Sequence, residues 1–176
     1  MKKVAIFGSA RTDPESELYA AVEKLGKECA QAGWTVVTGG GPGTMEAANK
    51  GASTVDLTRS EAEAIYLPFE EAVNQYVYDY TKHEDFYTRL ETFSHCDAFI
   101  VTPGGIGTLL EMAMIYQLIQ VNHIEEKPII CVGSSNSSFT LHWLLLVCID
   151  VKTVGQTVWF RTITSNGLIQ TMRTRI

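Results

Sequence analysis

Residues 98–111, Ala-Phe-Ile-Val-Thr-Pro-Gly-Gly-Ile-Gly-Thr-Leu-Leu-Glu, constrain this chain more than any other stretch. The apolar run 98–101 has the length and composition of a buried parallel strand and is too short for a helix. Pro103, Gly104 and Gly105 break it, and Gly107 and Thr108 are expected to open a long apolar helix. Strand, glycine loop and helix N-terminus in that order make a place for an anion. The first helical turn offers N–H groups without helical acceptors and the positive end of the dipole. Glycine lets a phosphate approach them, because no Cβ stands in the way. Phosphate contacts are therefore expected at Gly104, Gly105, Ile106, Gly107 and Thr108. Glu111 needs a reason to be there, since a carboxylate repels phosphate. Thr108 and Glu111 fit a capping box, in which each satisfies the other's backbone donor. Alternatively, Glu111 faces the sugar of a bound nucleotide and acts on its anomeric carbon.

The rest of the chain alternates strands with helices. Residues 3–7 read as a first strand, with Gly8, Ser9 and Ala10 as the loop at its carboxyl end. Leu18, Val22, Leu25 and Cys29 form one stripe of a helix over about 15–32, stopped by Gly33. A second strand, 34–38, runs into Gly39-Gly-Gly-Pro-Gly-Thr44, and 45–52 reads as helix. A short strand is expected at 64–67, helix through 76–96, and another strand at 128–132. Beyond that, 139–147 reads as a core helix and 158–163 as a strand. The pattern implies a Rossmann-like, doubly wound parallel sheet flanked by helices, in a single domain spanning 1–176. Ligands of such sheets sit where neighbouring loops diverge at the carboxyl ends of the strands. Gly8, Ser9, Gly40, Gly41, Gly43, Thr44 and Met45 are accordingly expected to contact a substrate.

Several function classes are excluded. The dinucleotide fingerprint would place G-x-G-x-x-G after the first strand, with an acidic residue about 20 positions on, and neither condition is met. No P-loop sequence occurs. A net charge of −6 argues against a nucleic-acid partner, which needs a basic surface. No apolar run reaches the roughly 18 residues of a membrane helix. Cys29, Cys96, Cys131 and Cys148 lack ligand-like spacing, so no metal site is expected and reduced thiols in a cytoplasmic protein are. His83, His95, His123 and His142 share no motif. No cofactor is implied.

The string Pro-Gly-Gly-Ile-Gly-Thr-Leu-Leu-Glu resembles the PGGxGTxxE signature of the Lonely guy family, many of whose members carry the label "lysine decarboxylase-like". Residues 39–52 resemble the family's GGGxxGxM element. The resemblance covers roughly residues 4–132; the remainder is atypical. It implies a phosphoribohydrolase that releases free base and ribose 5-phosphate from a nucleoside 5′-monophosphate, acting as a homodimer. Helix 108–121, with almost no polar face, independently asks for a partner subunit. The resemblance assigns catalysis to an arginine–glutamate pair, here Arg89 and Glu111. Many relatives read Arg-Lys where this chain reads Thr88-Arg89-Leu90. Either Arg89 is the catalytic arginine and the lysine is lost, or Arg89 stands at the lysine position and Thr88 replaces the arginine. The first is favoured, because Arg89-Leu90 followed by Phe93 is similar to one branch of the family. A different class of function stays open on the same fold: a carrier similar to the molybdenum-cofactor carrier proteins, holding its ligand without turnover. Lysine decarboxylation would need pyridoxal phosphate on a lysine, and no lysine is singled out.

Overall fold

Val4, Ala5, Ile6 and Phe7, all buried, make β1 (Lys3–Phe7) the centre of the molecule. The computed structural model describes residues 1–66 and 72–132, with the backbone of two further strands at 157–163 and 169–175. Chain order runs β1, α1 (Glu17–Gln31), β2 (Thr35–Thr38), α2 (Thr44–Ser53), a 3-10 turn at Leu57–Arg59, and β3 (Ser60–Ile65). Next come β4 (Asp79–His83), α3 (Phe86–Ser94), β5 (Ala98–Val101), α4 (Ile106–Gln120) and β6 (Ile129–Cys131). Six strands form one parallel sheet in the order β4-β3-β2-β1-β5-β6. A separate antiparallel pair joins β7 (Thr157–Ile163) to β8 (Ile169–Arg175).

The pleat of β1 divides the core in two. Val4 and Ile6 face Tyr19, Val22 and Ala30 of α1 and Ala47, Ala48 and Ala52 of α2. Ala5 and Phe7 face Phe93 of α3 and Met112, Ile115 and Ile119 of α4. Alternate residues of one strand thus serve opposite faces, which is the expected doubly wound arrangement. The winding reverses between β1 and β5, and the loops after these two strands diverge there.

Two expectations change. The helix read through 76–96 is a strand, a turn and a shorter helix. Tyr80 and Thr81 suit the edge strand β4, and Asp85 caps α3 by accepting from the N–H groups of Tyr87 (2.8 Å) and Thr88 (2.9 Å). The third strand occupies Ser60–Ile65 and not 64–67. Its polar residues each have a partner: Ser60 meets Asn49, Glu61 meets Lys3, and Glu63 meets His83. The helix expected at 139–147, with His142, and Cys148 lie outside the described residues. Strand β7 covers the expected strand at 158–163; β8 was not foreseen. Among the described residues, no helix is long and apolar enough to cross a membrane.

Candidate functional site

A cleft of about 460 Å³ opens at the carboxyl ends of β1 and β5, where the sheet reverses its winding. The loop from Gly8 to Arg11 forms one wall and residues 104–108 with Glu111 another, while Gly39, Met45, Ile65, Phe86 and Arg89 complete it.

The start of the helix after β5 is more open than the sequence suggests. Helix α4 begins at Ile106, two residues before Thr108, and its N-cap Gly105 supplies no capping side chain. The N–H groups of Ile106, Gly107 and Thr108 therefore lack helical acceptors. Among the described residues, a Cβ built at Gly105 or Gly107 meets nothing within 4 Å, so they leave the space above that backbone open. Gly104 differs, because a Cβ there would collide with the buried side chain of Thr108. Thr108 lies inside the first turn, so the capping box is excluded.

Glu111 is instead engaged across the cleft. Its Oε1 lies 3.2 Å from Nη2 of Arg89, and both residues are buried, at 9% and 8% exposure. Arg89 also donates from Nε to the carbonyl of Glu63 (2.7 Å), and its guanidinium lies over the ring of Phe93. Gly39 packs against it so closely that a Cβ would strike the guanidinium. Thr88 is exposed, and Arg89 is the residue that meets Glu111. Burial pushes the Glu111 carboxyl up from 4.5 to about 7, against the opposing pull of Arg89.

The remaining expected contacts separate. Gly8, Ser9 and Met45 line the cleft; Gly40, Gly41, Gly43 and Thr44 do not. The carbonyls of Gly40 and Gly41 accept from Nδ2 of Asn74, both at 3.1 Å. Asn74 also donates to Oδ1 of buried Asn49, which accepts from Thr38 and donates to Ser60. These glycines are held by a polar network inside the fold. Gly43 and Thr44 pack against the backbone of the Gly8–Arg11 loop. Arg11, Ile65 and Phe86 line the cleft without having been expected there. Arg11 directly follows the loop after β1, which was a usable signal; Phe86 was hidden inside the misread helix.

Residues 45–166 match the family model described as "Possible lysine decarboxylase", and residues 1–58 match the SLOG cluster4 family. The chain belongs to the lysine decarboxylase-like family. The Lonely guy resemblance is thereby upheld. The structural-genomics protein TM1055 shares 32% identity over 74% of this chain and 73% of its own, at a TM-score of 0.59. A molybdenum cofactor binding protein from the phototrophic bacterium Rippkaea orientalis shares 25% over 82% of this chain and 83% of its own, at 0.62. The molybdenum cofactor carrier protein of Chlamydomonas reinhardtii, at 20% identity over 85% of this chain and 88% of its own, shares the fold (TM-score 0.59). No curated protein matches the chain. Among the described residues, none of those lining the cleft is a lysine, so these residues do not suit pyridoxal phosphate held on a lysine.

Proposed function

We propose that the protein hydrolyses the N-glycosidic bond of a nucleoside 5′-monophosphate, releasing free base and ribose 5-phosphate. The observation that carries this reading is the buried Arg89–Glu111 pair, facing the same cleft as the uncapped N-terminus of α4. Six residues separate Gly105 from Glu111, about 9 Å along the helix axis. Helical side chains lean towards the N-terminus, so the carboxyl lies back towards the phosphate site, at a distance a ribose spans.

In this reading the phosphate takes the N–H groups of Ile106, Gly107 and Thr108, and the sugar lies over α4. Positive charge develops on the ribose as the bond to the base lengthens, and the Glu111 carboxylate stabilises it. Water attacks the anomeric carbon and gives its proton to Glu111. The electron pair of the broken bond leaves with the base, which takes a proton from solvent. A carboxyl held near neutrality suits this proton transfer better than an ordinary glutamate would. Arg89 is the positioning residue: its contacts to the Glu63 carbonyl and to Glu111 fix the carboxyl's direction. Met45, Ile65 and Phe86 offer the base an apolar lining.

A carrier role is the second reading, supported by the 25% identity to the Rippkaea protein over most of both chains. The same backbone cradle would then hold a phosphate of the bound cofactor without turnover. Incubating the protein with a panel of nucleoside monophosphates and assaying ribose 5-phosphate decides between the two. Release from at least one nucleotide supports the hydrolase. Tight binding with no release from any supports the carrier.

A further inference from the structure

Arg11 stands where two clefts meet. Beside the cleft described above lies a second, of about 400 Å³, and the two share Ser9, Arg11 and Gly104. Arg11 is exposed, and among the described residues no carboxylate pairs with it.

The loop that carries it is pinned at several points. Ser9 Oγ accepts the Arg11 N–H at 3.0 Å, and the Ser9 carbonyl accepts from the Thr44 N–H at 2.9 Å and the Thr12 hydroxyl at 3.2 Å. The hydroxyls of Thr12 and Thr44 lie 2.9 Å apart. Gly43, at φ 67°, sits against the same backbone, and a Cβ there would come within 2.5 Å of the Ser9 carbonyl oxygen. The second glycine motif therefore acts on the cleft at one remove, by fixing the loop that presents Arg11.

Charge then identifies what Arg11 is for. A phosphate monoester carries about −1.5 to −2 at pH 7. Among the described residues, the cationic ones lining the cleft are Arg11 and Arg89. Arg89 is already committed to Glu111 and to the Glu63 carbonyl, and an ionised Glu111 adds to the repulsion. Backbone N–H groups supply hydrogen bonds but no full counter-charge.

We propose that Arg11 binds the 5′-phosphate opposite the backbone of residues 106–108 and supplies the counter-charge that this backbone lacks. The proposal rests on the phosphate placement under the hydrolase reading. Calorimetry with AMP and adenosine at low salt tests it, on wild type, Arg11→Met and Arg11→Glu. AMP affinity should fall at least tenfold in Arg11→Met, about 1.4 kcal/mol, and further in Arg11→Glu. Adenosine affinity should not change, and the salt dependence of AMP binding should weaken. Equal AMP affinity in wild type and Arg11→Met overturns the proposal and leaves the backbone cradle standing. Parallel losses for AMP and adenosine also overturn it, because they mean a shape change and not a lost phosphate contact. A wild type that binds AMP and adenosine equally removes the phosphate placement itself, and the proposal with it.

Discussion

Glu111 links the site to the stability of the fold, and the sign of that link is testable. Burial raises its carboxyl from 4.5 to about 7, with Arg89 opposing. Between these values the folded protein holds a proton that the unfolded chain has released. The contribution is fully present below pH 4.5, declines as pH rises, and is lost above about 7. The span of about 2.5 pH units, at 1.36 kcal/mol each, sets an upper bound of about 3 kcal/mol. Glu111→Gln cannot titrate, while every other ionisable group is common to both proteins and largely cancels. Urea unfolding of the pair at pH 5 and pH 8 gives the difference directly. Wild type should lose up to about 3 kcal/mol relative to Glu111→Gln between the two pH values. A constant difference, or one that grows in favour of wild type at pH 8, would refute the argument that desolvation outweighs Arg89.

Other consequences follow from the cradle and from the outer side of α4. Gly107→Val should leave the melting temperature nearly unchanged, since among the described residues a Cβ there meets nothing within 4 Å outside its own helix turn, yet weaken AMP binding more than tenfold, about 1.4 kcal/mol or more. Unchanged affinity would place the phosphate elsewhere. Ile106, Leu110 and Val121 are 81%, 45% and 54% exposed, and we propose that this apolar side of α4 meets a second copy of the chain. Light scattering at micromolar concentration should give a dimer, and Leu110→Glu a monomer; a monomeric wild type contradicts it.

The sheet centre and the cradle were legible because their signals are local. An apolar run such as 98–101 can only be buried, and glycines between such a strand and a helix leave few alternatives. Strand β3 was misplaced because its stability depends on partners far along the chain. Ser60, Glu61 and Glu63 read as surface residues until Asn49, Lys3 and His83 are placed beside them. Strand β4 fails for a similar reason: its polar, aromatic residues at the sheet edge give no clear period, although Asp85 marked the following helix. At the site, residue type and spacing pointed to Glu111 and the family resemblance to Arg89, but their 3.2 Å contact joins two helices, and spacing alone could not exclude the capping box. Glycines that leave a backbone open and glycines that allow close packing look identical in sequence. What separates Gly107 from Gly43 is whether the missing Cβ would meet open space or the Ser9 carbonyl.

The central claim is that Glu111 acts on the ribose, and its charge is the handle. Glu111→Gln keeps the shape of the side chain and removes the carboxylate. On whichever nucleoside monophosphate the wild type hydrolyses best, release of ribose 5-phosphate at pH 8 should fall by at least ~100-fold, the scale of losing one electrostatic stabiliser. Binding of the same nucleotide should hold or tighten, because a negative charge near the phosphate has gone. Turnover that survives Glu111→Gln within a few-fold, with nucleotide affinity unchanged, would contradict the claim.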